Sequence, residues 1–182
     1  MFLIVTRSFP PDLGGMQALM GGLSESLINH GPVKVFAYES PDSNSYDSNS
    51  LMNIERIKGI KLFRKYRKTN IVNSFINKNS NIRAIFTDHW KSLELLNKEN
   101  INKTKTICLL HSKEINHEKG SSLNKRLVES TNKANFIIAN SNFTKELAIK
   151  VGIDPSKINV IFPGIKEPQI VQDKYKKEAK II

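Results

Sequence analysis

Short apolar runs recur along the chain, separated by segments of different character. The runs are rich in β-branched residues and apolar throughout, which is typical of buried strands in a parallel sheet. They comprise residues 2–6, 33–37, 82–87, 106–110, 136–139 and 158–162. We therefore predict that these segments form strands of one sheet.

Several of the intervening segments place apolar residues at helical spacing. One carries Met16, Leu19, Met20, Leu23, Leu27 and Ile28, another Leu123, Leu127 and Val128, and a third Phe143, Leu147, Ala148 and Val151. Strand, helix and parallel strand connect right-handedly in nearly all proteins. The order predicts an α/β fold, a doubly wound, mainly parallel Rossmann-like sheet with helices on both faces. Residues 41–50, rich in Ser, Asn and Asp, are predicted to be a loop.

The chain has 182 residues, enough for one domain with one sizeable core. Its only cysteine, Cys108, lies inside an apolar run, which favours a buried core residue over a nucleophile and excludes an internal disulfide. The first apolar run is too short for a signal peptide or a membrane span, and it ends at Arg7. We expect a cytoplasmic protein and predict neither a metal site nor a bound cofactor.

A glycine-containing loop links the first strand to the first helix. Gly14 and Gly15 allow the backbone to approach a ligand closely, and the helix start at Met16 offers unpaired N–H groups. These three residues are our candidates for binding a phosphate, and Asp12 lies beside them. A tight turn without a ligand is the alternative, because the GxGxxG pattern is absent.

Polar residues end several predicted strands. His111 follows residues 106–110, Asp88 and His89 follow residues 82–87, and Ser141 follows the strand at 136–139. Open α/β sheets bind ligands at the carboxyl ends of their strands, so these side chains are candidates for a cleft. The alternatives are a His111 bonded to a neighbouring carbonyl, an Asp88 that caps the helix near Trp90, and a Ser141 that caps the next helix.

Positive charge is concentrated in one segment. The net charge is +11, from 28 Lys and Arg against 17 Asp and Glu, which favours anionic partners. A segment of mixed basic and apolar residues contains what we term the basic patch: Lys61, Arg64, Lys65, Arg67 and Lys68. A basic, partly apolar helix can bind an anionic membrane surface, or it can simply face solvent. A nucleic-acid-binding module is less favoured, because no RRM, KH or zinc-finger signature is present.

Several segments match one protein family in order and spacing. They are Pro10-Pro11 with Gly14-Gly15 after the first strand, Leu110-His111, Ile138-Ala139-Asn140-Ser141 followed by Lys145, and residues 159–165. Together they resemble the amino-terminal domain of the family 4 retaining glycosyltransferases, which have the GT-B fold.

The resemblance implies half of an enzyme in which two Rossmann-like domains enclose a cleft. Such enzymes transfer a sugar, with retention, from a nucleoside diphosphate sugar as co-substrate to an acceptor. The amino-terminal half mainly binds the acceptor, expected here to be a cell-envelope glycan or a lipid-linked molecule. By resemblance, His111 is the catalytic candidate, the donor phosphate lies at Gly14, Gly15 and Met16, and the acceptor or cleft residues are Asp12, Asp88, His89, Ser141 and Lys145.

The family's two glutamates eight positions apart, which contact the donor in the second domain, have no counterpart in this sequence. We therefore predict an acceptor-side domain at residues 1–165, and at residues 166–182 a linker and the start of a missing donor-binding domain. The isolated chain is then expected to be inactive and, through the basic patch, peripheral at the inner face of the membrane. A stand-alone, non-catalytic acceptor-binding adaptor is the alternative.

Overall fold

The described chain folds around one open, parallel β-sheet. The computed structural model describes residues 1–164. Their strands span Phe2–Val5 (β1), Val33–Tyr38 (β2), Asn53–Ile57 (β3), Ala84–Thr87 (β4), Lys105–Leu110 (β5), Phe136–Ala139 (β6) and Ile158–Val160 (β7). The spatial order is β3-β2-β1-β4-β5-β6-β7, and every neighbouring pair is parallel. The order reverses between β1 and β4, which is the switch point of a doubly wound sheet.

Helices connect the strands, as the alternating pattern predicts. They span Gly15–Ile28 (α1), Ser43–Ser48 (α2), Lys61–Lys78 (α3), Trp90–Leu93 (α4), Lys98–Ile101 (α5), Ser112–Ile115 (α6), Ser122–Thr131 (α7) and Asn142–Lys150 (α8). A short 3-10 helix, Pro155–Lys157, precedes β7. Within residues 1–164, none of these helices has the length and apolar character that a bilayer crossing requires.

The two faces of the sheet carry different cores. Successive strand residues point to opposite faces, so Leu3 and Val5 belong to one core and Phe2 and Ile4 to the other. The first core is formed with α3 to α8, and the second with α1 and α2. Cys108 is fully buried in the first core, where burial raises the pKa of its thiol to about 12. The predicted core role of this cysteine is confirmed.

Two sequence-based assignments near the edge of the sheet were wrong. Strand β3 was missed because its sequence, NIERI, alternates polar and apolar residues, as an edge strand with solvated positions does. Its Glu55 pairs with Lys34 of β2 at 2.9 Å. The segment predicted as a loop, residues 41–50, contains α2. Three predicted strands are also shorter than expected: β1 ends at Val5, β4 begins at Ala84 and β7 ends at Val160.

Arg56 of β3 fixes the short helix α2 and the glycine-containing loop. Its guanidinium donates to both carboxylate oxygens of Asp47, at 2.7 and 2.9 Å for the shortest contacts. It also donates to the main-chain carbonyls of Pro10 and Tyr38 and lies 5.5 Å from the ring centroid of Phe9. Since the Arg56 side chain is only 5% exposed, these contacts hold the loop from inside the protein.

Helix α1 approaches the proline pair closely at one glycine. A Cβ atom added to Gly21 would lie 2.7 Å from Cγ of Pro10, well inside van der Waals contact. A Cβ atom added to the next residue, Gly22, would meet nothing within 4 Å. Both glycines lie inside the helix, where alanine is otherwise the better residue.

These neighbouring glycines provide a matched pair of substitutions. Gly22→Ala should raise the free energy of unfolding by about 0.5–1 kcal/mol, because it improves helix propensity without a clash. Gly21→Ala gains the same propensity but forces the Pro10 loop to shift, so it should be less stable than Gly22→Ala by about 1–3 kcal/mol. Urea denaturation of both variants measures the difference, and equal stabilities would show that the loop gives way freely.

Candidate active site

Polar residues follow four adjacent strands at the carboxyl edge of the sheet. Arg7 follows β1, Asp88 follows β4, His111 follows β5 and Asn140 follows β6. These four strands are consecutive neighbours in the sheet. Because all of them are parallel, the four residues lie at the same edge, where doubly wound sheets bind ligands.

The carboxylate of Asp88 ties this edge together. One oxygen accepts hydrogen bonds from the Thr6 hydroxyl and the Arg7 N–H, both at 2.9 Å, and the other accepts from the Ser92 hydroxyl at 2.7 Å. Asp88 is only 1% exposed, so it is buried beneath the edge and does not line an open cleft. The alternative role, a cap of α4, is not observed either, because its hydrogen bonds run to Thr6 and Arg7 after β1 and to the Ser92 side chain of α4.

The residue that caps α4 is His89. Its Nδ1 accepts a hydrogen bond from the Lys91 N–H at 2.9 Å, so the ring proton lies on Nε2. Nε2 is 3.3 Å from the Glu114 carboxylate, close enough for contact but not aligned as a hydrogen bond. Burial, with Arg7 and Lys91 nearby, lowers the pKa of His89 to about 2. His89 is therefore a neutral, buried structural residue, only 3% exposed, and does not form an open part of the cleft.

His111 is held by the residue that follows the neighbouring strand. The Asn140 side-chain oxygen accepts from the Thr144 hydroxyl at 2.6 Å, so its amide nitrogen faces Nδ1 of His111, 3.3 Å away. Nδ1 accepts this bond, and the ring proton therefore lies on Nε2. Burial lowers the pKa of His111, against the opposing effect of Asp88, so the ring is neutral. The partner is a side-chain amide and not the carbonyl considered as the alternative.

A cavity of about 550 Å³ adjoins His111 on the α1 face of the sheet. Its lining is mainly apolar and includes Leu19 and Leu23 of α1, Leu109 and Ile138 of the sheet, and residues 161–164. His111 and Asn140 provide polar groups in this lining. The structure thus places His111 where an apolar cavity meets the polar edge of the sheet.

The glycine-containing loop leaves the start of α1 without a side-chain cap. Gly14 precedes the helix at φ 153°, a conformation that favours glycine, and it offers no side chain to the first N–H groups. Gly15 begins the helix, Met16 follows it, and both Gly14 and Gly15 are exposed. Asp12 is also exposed. The assignment of these residues to a donor phosphate stays a prediction.

Ser141 has a clear structural role, whereas the contacts of Lys145 do not assign it one. The Ser141 hydroxyl accepts a hydrogen bond from the Thr144 N–H at 3.1 Å and therefore caps α8, which was the expected alternative to a ligand contact. Lys145 lies in the first turn of α8 and is half-buried. Within residues 1–164 its ammonium has no hydrogen-bond or ion-pair partner, so its placement at the acceptor stays a prediction.

Unpaired polar atoms concentrate near this edge. Four of the six buried side-chain atoms without a hydrogen-bond partner in the described part of the chain lie there: Arg7 Nε, His111 Nε2, Glu114 Oε2 and His117 Nε2. Arg7, Glu114 and His117 were not among the residues predicted for the site. Arg7 could have been found, because it directly follows the first predicted strand. The other two belong to or follow α6, a helix too short to show periodicity.

Glu114 has an unusual environment for a carboxyl group. Burial, reinforced by the negative charge of Asp88, raises its pKa to about 7, while Arg7 and Lys91 act in the opposite direction. The side chain is 19% exposed. Near neutral pH the group is therefore partly protonated, so it carries less negative charge than an ordinary carboxylate.

The comparisons with known proteins begin with a family model. The model for Glycosyltransferase Family 4 matches residues 13–167. This domain belongs to that family. No curated protein sequence matches the chain.

Solved structures with the same fold include HepE of Anabaena in complex with UDP. Its TM-score is 0.67 at 16% identity, over 90% of this chain and 44% of HepE. A glycosyltransferase from Rickettsia africae has a TM-score of 0.64 at 16% identity, over 97% of this chain and 47% of that structure. A UDP-N-acetylglucosamine 2-epimerase from Rickettsia bellii has a TM-score of 0.61 at 6% identity, over 88% of this chain and 44% of that structure. These likenesses establish the fold, and the family 4 domain spans less than half of each of these three structures.

The basic patch of this family 4 domain is smaller than predicted. Lys68 is only 3% exposed, and its ammonium donates to the Thr6 carbonyl at 3.0 Å and to the Ser92 hydroxyl at 3.2 Å. Burial lowers the pKa of Lys68 to about 8, while Asp88 opposes the shift. Lys68 therefore does not face a membrane. The prediction that Lys68 belongs to the exposed basic patch was wrong, because α3 turns this position toward the sheet.

The remaining residues of the basic patch lie on the first turns of α3. Arg64 donates to the Gly59 carbonyl, and Lys65 forms an ion pair with Glu94 at 2.5 Å. Within residues 1–164, Lys61 and Arg67 are exposed and have no ion-pair partner. Exposed apolar side chains surround them: Ile60, Leu62, Phe63 and Tyr66, each 59–75% exposed. The surface is thus both basic and apolar.

The buried carboxyl of Glu114 predicts a pH-dependent stability difference. Its pKa in the folded protein lies above the ordinary value of 4.5, so the stability that its neutral form provides is present below pH 4.5 and is lost as the pH rises through about 7. Glu114→Gln imitates the neutral form at every pH. We expect this variant to be more stable than the parent by about 1–3 kcal/mol at pH 8 and equally stable near pH 4.5.

Urea denaturation across this pH range measures the effect. Glu118→Gln, a substitution at an exposed carboxyl nearby, is the matched control and should show no such pH-dependent gain. If Glu114→Gln were destabilising at pH 8, the carboxylate would be ionised and favourably paired in the folded state.

Proposed function

We propose that this domain is the acceptor-side half of a retaining glycosyltransferase that uses a nucleoside diphosphate sugar. The observation that carries the proposal is the neutral His111 at the carboxyl edge of a family 4 domain, with a buried, unpaired Nε2–H. A reacting group placed beside that atom would complete its hydrogen bond. Retention and the use of no cofactor are expectations from the family.

His111 is suited to stabilise developing charge without acting as a base. Its Nδ1 already accepts from Asn140, so the ring offers a single donor and no free acceptor. A donor fixed in advance, in a site with little water, stabilises charge most effectively as that charge develops. In the proposed enzyme Nε2–H would donate to the transferred sugar near the reacting centre. A fixed donor of this kind typically contributes about 10²- to 10³-fold to turnover.

The donor diphosphate would lie at the uncapped start of α1. The N–H groups at Gly14, Gly15 and Met16 and the positive end of the helix dipole favour an anion. UDP is bound by HepE, a protein of the same fold, which supports a nucleotide sugar here. The rest of the donor site would come from a second Rossmann-like domain, because the matched structures are about twice as long. Residues 166–182, the proposed linker and second-domain start, lie outside the described residues.

The acceptor would be a glycan or a lipid-linked molecule of the cell envelope, reached from the cytoplasmic side. The surface at the start of α3 supports the lipid-linked form, because exposed Leu62 and Phe63 stand next to the unpaired cations Lys61 and Arg67. Apolar side chains can insert at the headgroup level while cations contact anionic lipids. The family 4 domain would thus be a peripheral membrane protein.

The proposed role of His111 can be tested in the protein expressed to the natural stop codon of its gene. His111→Ala should lower turnover of a nucleoside diphosphate sugar at least about 100-fold, because a fixed hydrogen-bond donor is lost. The folded state should persist, since His111 makes one side-chain hydrogen bond. Nucleoside diphosphate release measures turnover, and circular dichroism monitors folding.

His30→Ala is the matched control. His30 is exposed beyond the end of α1, at the opposite edge of the sheet, and should keep full turnover. Unchanged turnover in His111→Ala would remove this residue from the mechanism. If the unaltered protein neither binds nor turns over any nucleoside diphosphate sugar, the adaptor alternative gains support.

Membrane binding has a separate test on the 182-residue chain. The chain should co-sediment with phosphatidylglycerol vesicles more than with phosphatidylcholine vesicles, and the difference should shrink in high salt. The double variant Leu62→Ser/Phe63→Ser should bind at least about tenfold more weakly, since two exposed apolar side chains are removed.

Phe143→Ser supplies the control, because Phe143 is 65% exposed on α8. It should bind vesicles as the parent does. If the parent and the double variant bound vesicles equally, the start of α3 would be a solvated helix face and not a membrane-binding surface.

A further inference from the structure

We propose that the edge beside His111 contains a subsite for an anionic group of the acceptor, a carboxylate or a phosphate, formed by Arg7, Lys91 and His117. The inference deepens the proposed function by naming a class of acceptor. The assignment of the anion to the acceptor rests on the proposed function, whereas the anion site itself rests on the structure alone.

The Arg7 side chain has no partner within residues 1–164. The Arg7 N–H of the main chain donates to Asp88, but its side chain has no hydrogen bond or ion pair within residues 1–164, and its Nε is buried. A guanidinium is always charged and offers a planar set of donors that fits a carboxylate or a phosphate. Burying such a donor without a partner is unfavourable, so a ligand that accepts its hydrogen bond would be strongly favoured.

Other polar groups lie around His89, Trp90 and Glu114. Arg7 and Lys91 both lie close enough to His89 and Glu114 to shift the pKa of each. The Lys91 ammonium and the His117 ring both contact Trp90, at 5.1 Å and 6.2 Å between centres. His117 adds a second buried nitrogen, Nε2, without a partner. Two cations and an unpaired ring nitrogen thus surround α4 and α6 at this edge.

The nearby acids neutralise these cations only in part. The Asp88 carboxylate is already bound by Thr6, Arg7 N–H and Ser92, and it is buried beneath the edge. The Glu114 carboxyl has its pKa raised to about 7 by burial and by Asp88. Within the described residues, neither Arg7 nor Lys91 forms a salt bridge. The edge therefore has positive charge available for an external anion.

The position of the subsite suggests which substrate supplies the anion. Arg7 begins the connection from β1 to α1, and the far end of that connection is the start of α1 proposed for the donor diphosphate. Lys91 and His117 belong to the connections after β4 and β5. An anion held by the latter residues would lie beside His111 on the β4 and β5 side. A hydroxyl of the same acceptor molecule could then reach the sugar that His111 contacts.

The test uses the 182-residue chain and amide NMR spectra. Inorganic phosphate, glucose 1-phosphate and glucuronate are titrated separately, with glucose as the neutral probe. We expect the charged probes, and not glucose, to shift the resonances of Arg7, Lys91 and His117. The relative affinities of the phosphate and carboxylate probes identify which anion the site prefers. Arg7→Gln should weaken binding at least about tenfold, and Arg7→Lys should weaken it less, because a point charge remains.

Arg67→Gln is the matched control, because it removes an exposed guanidinium from the basic patch. It should leave probe binding unchanged, and Lys91→Gln provides a second variant if Arg7→Gln does not fold. Equal weakening by Arg67→Gln and Arg7→Gln would reveal general attraction to a basic surface and overturn the proposal. Displacement of phosphate from Arg7 by UDP would assign the site to the donor and overturn its assignment to the acceptor.

These outcomes are separate from the test of the proposed function. The titrations need neither a donor sugar nor turnover. Binding of the probes near Arg7 would therefore support the anion site even if the full-length protein were inactive. Conversely, a protein in which His111 is essential but no charged probe binds near Arg7 would retain the proposed function and lose this subsite.

Discussion

The carboxylate of Asp88 is the interaction on which the functional edge depends. It binds a hydroxyl and a main-chain N–H from the end of β1 and a hydroxyl from α4, so it joins the two strands at the switch point of the sheet. A carboxylate that accepts several hydrogen bonds is well stabilised even when it is buried. The direction in which the chain leaves β1 toward the glycine-containing loop is consequently set by a residue after β4.

Lys68 completes this buried network from the opposite side. Its ammonium donates to the Thr6 carbonyl and to Ser92, whose hydroxyl in turn bonds to Asp88, and it lies 4.6 Å from the ring centroid of Tyr38. The lowered pKa of Lys68 means that the folded protein favours its neutral form more than the unfolded chain does. Charging this lysine therefore opposes folding at and below neutral pH, and the opposing contribution disappears as the pH rises toward 10.5. Helix α3 therefore exposes its first turns to solvent and also contributes a buried side chain to the network around Asp88.

Sequence patterns predicted the sheet well because most of its strands are buried on both faces. Uniformly apolar runs such as β1 and β5 leave little ambiguity, and the helical spacing in α1 is equally clear. Edge strand β3 and helix α2 were not predicted because their polar residues pair with each other in the folded protein, as Arg56 does with Asp47. Such pairing depends on the tertiary fold and leaves no local signal.

The candidate site was predictable only in part. Strand-end position correctly placed His111 at the edge, since the carboxyl ends of parallel strands must meet there. It could not distinguish Asp88 and His89, which are buried, from residues that face an open cleft. The unpaired atoms of Arg7, Glu114 and His117 become visible only when the buried surroundings are known, because a missing hydrogen bond is a property of the folded state.

The anchoring of the glycine-containing loop by Arg56 also affects how such a domain can diversify. Pro10 is held by a residue of the outermost strand, which has a sheet neighbour on one side only. Edge positions tolerate replacement better than central ones, because fewer packed neighbours must adjust. Substitutions along β3 could therefore shift the loop in small increments while Asp88 and His111 keep their places. The position of the loop at the start of α1 could thus change during evolution while the buried network at the switch point is kept.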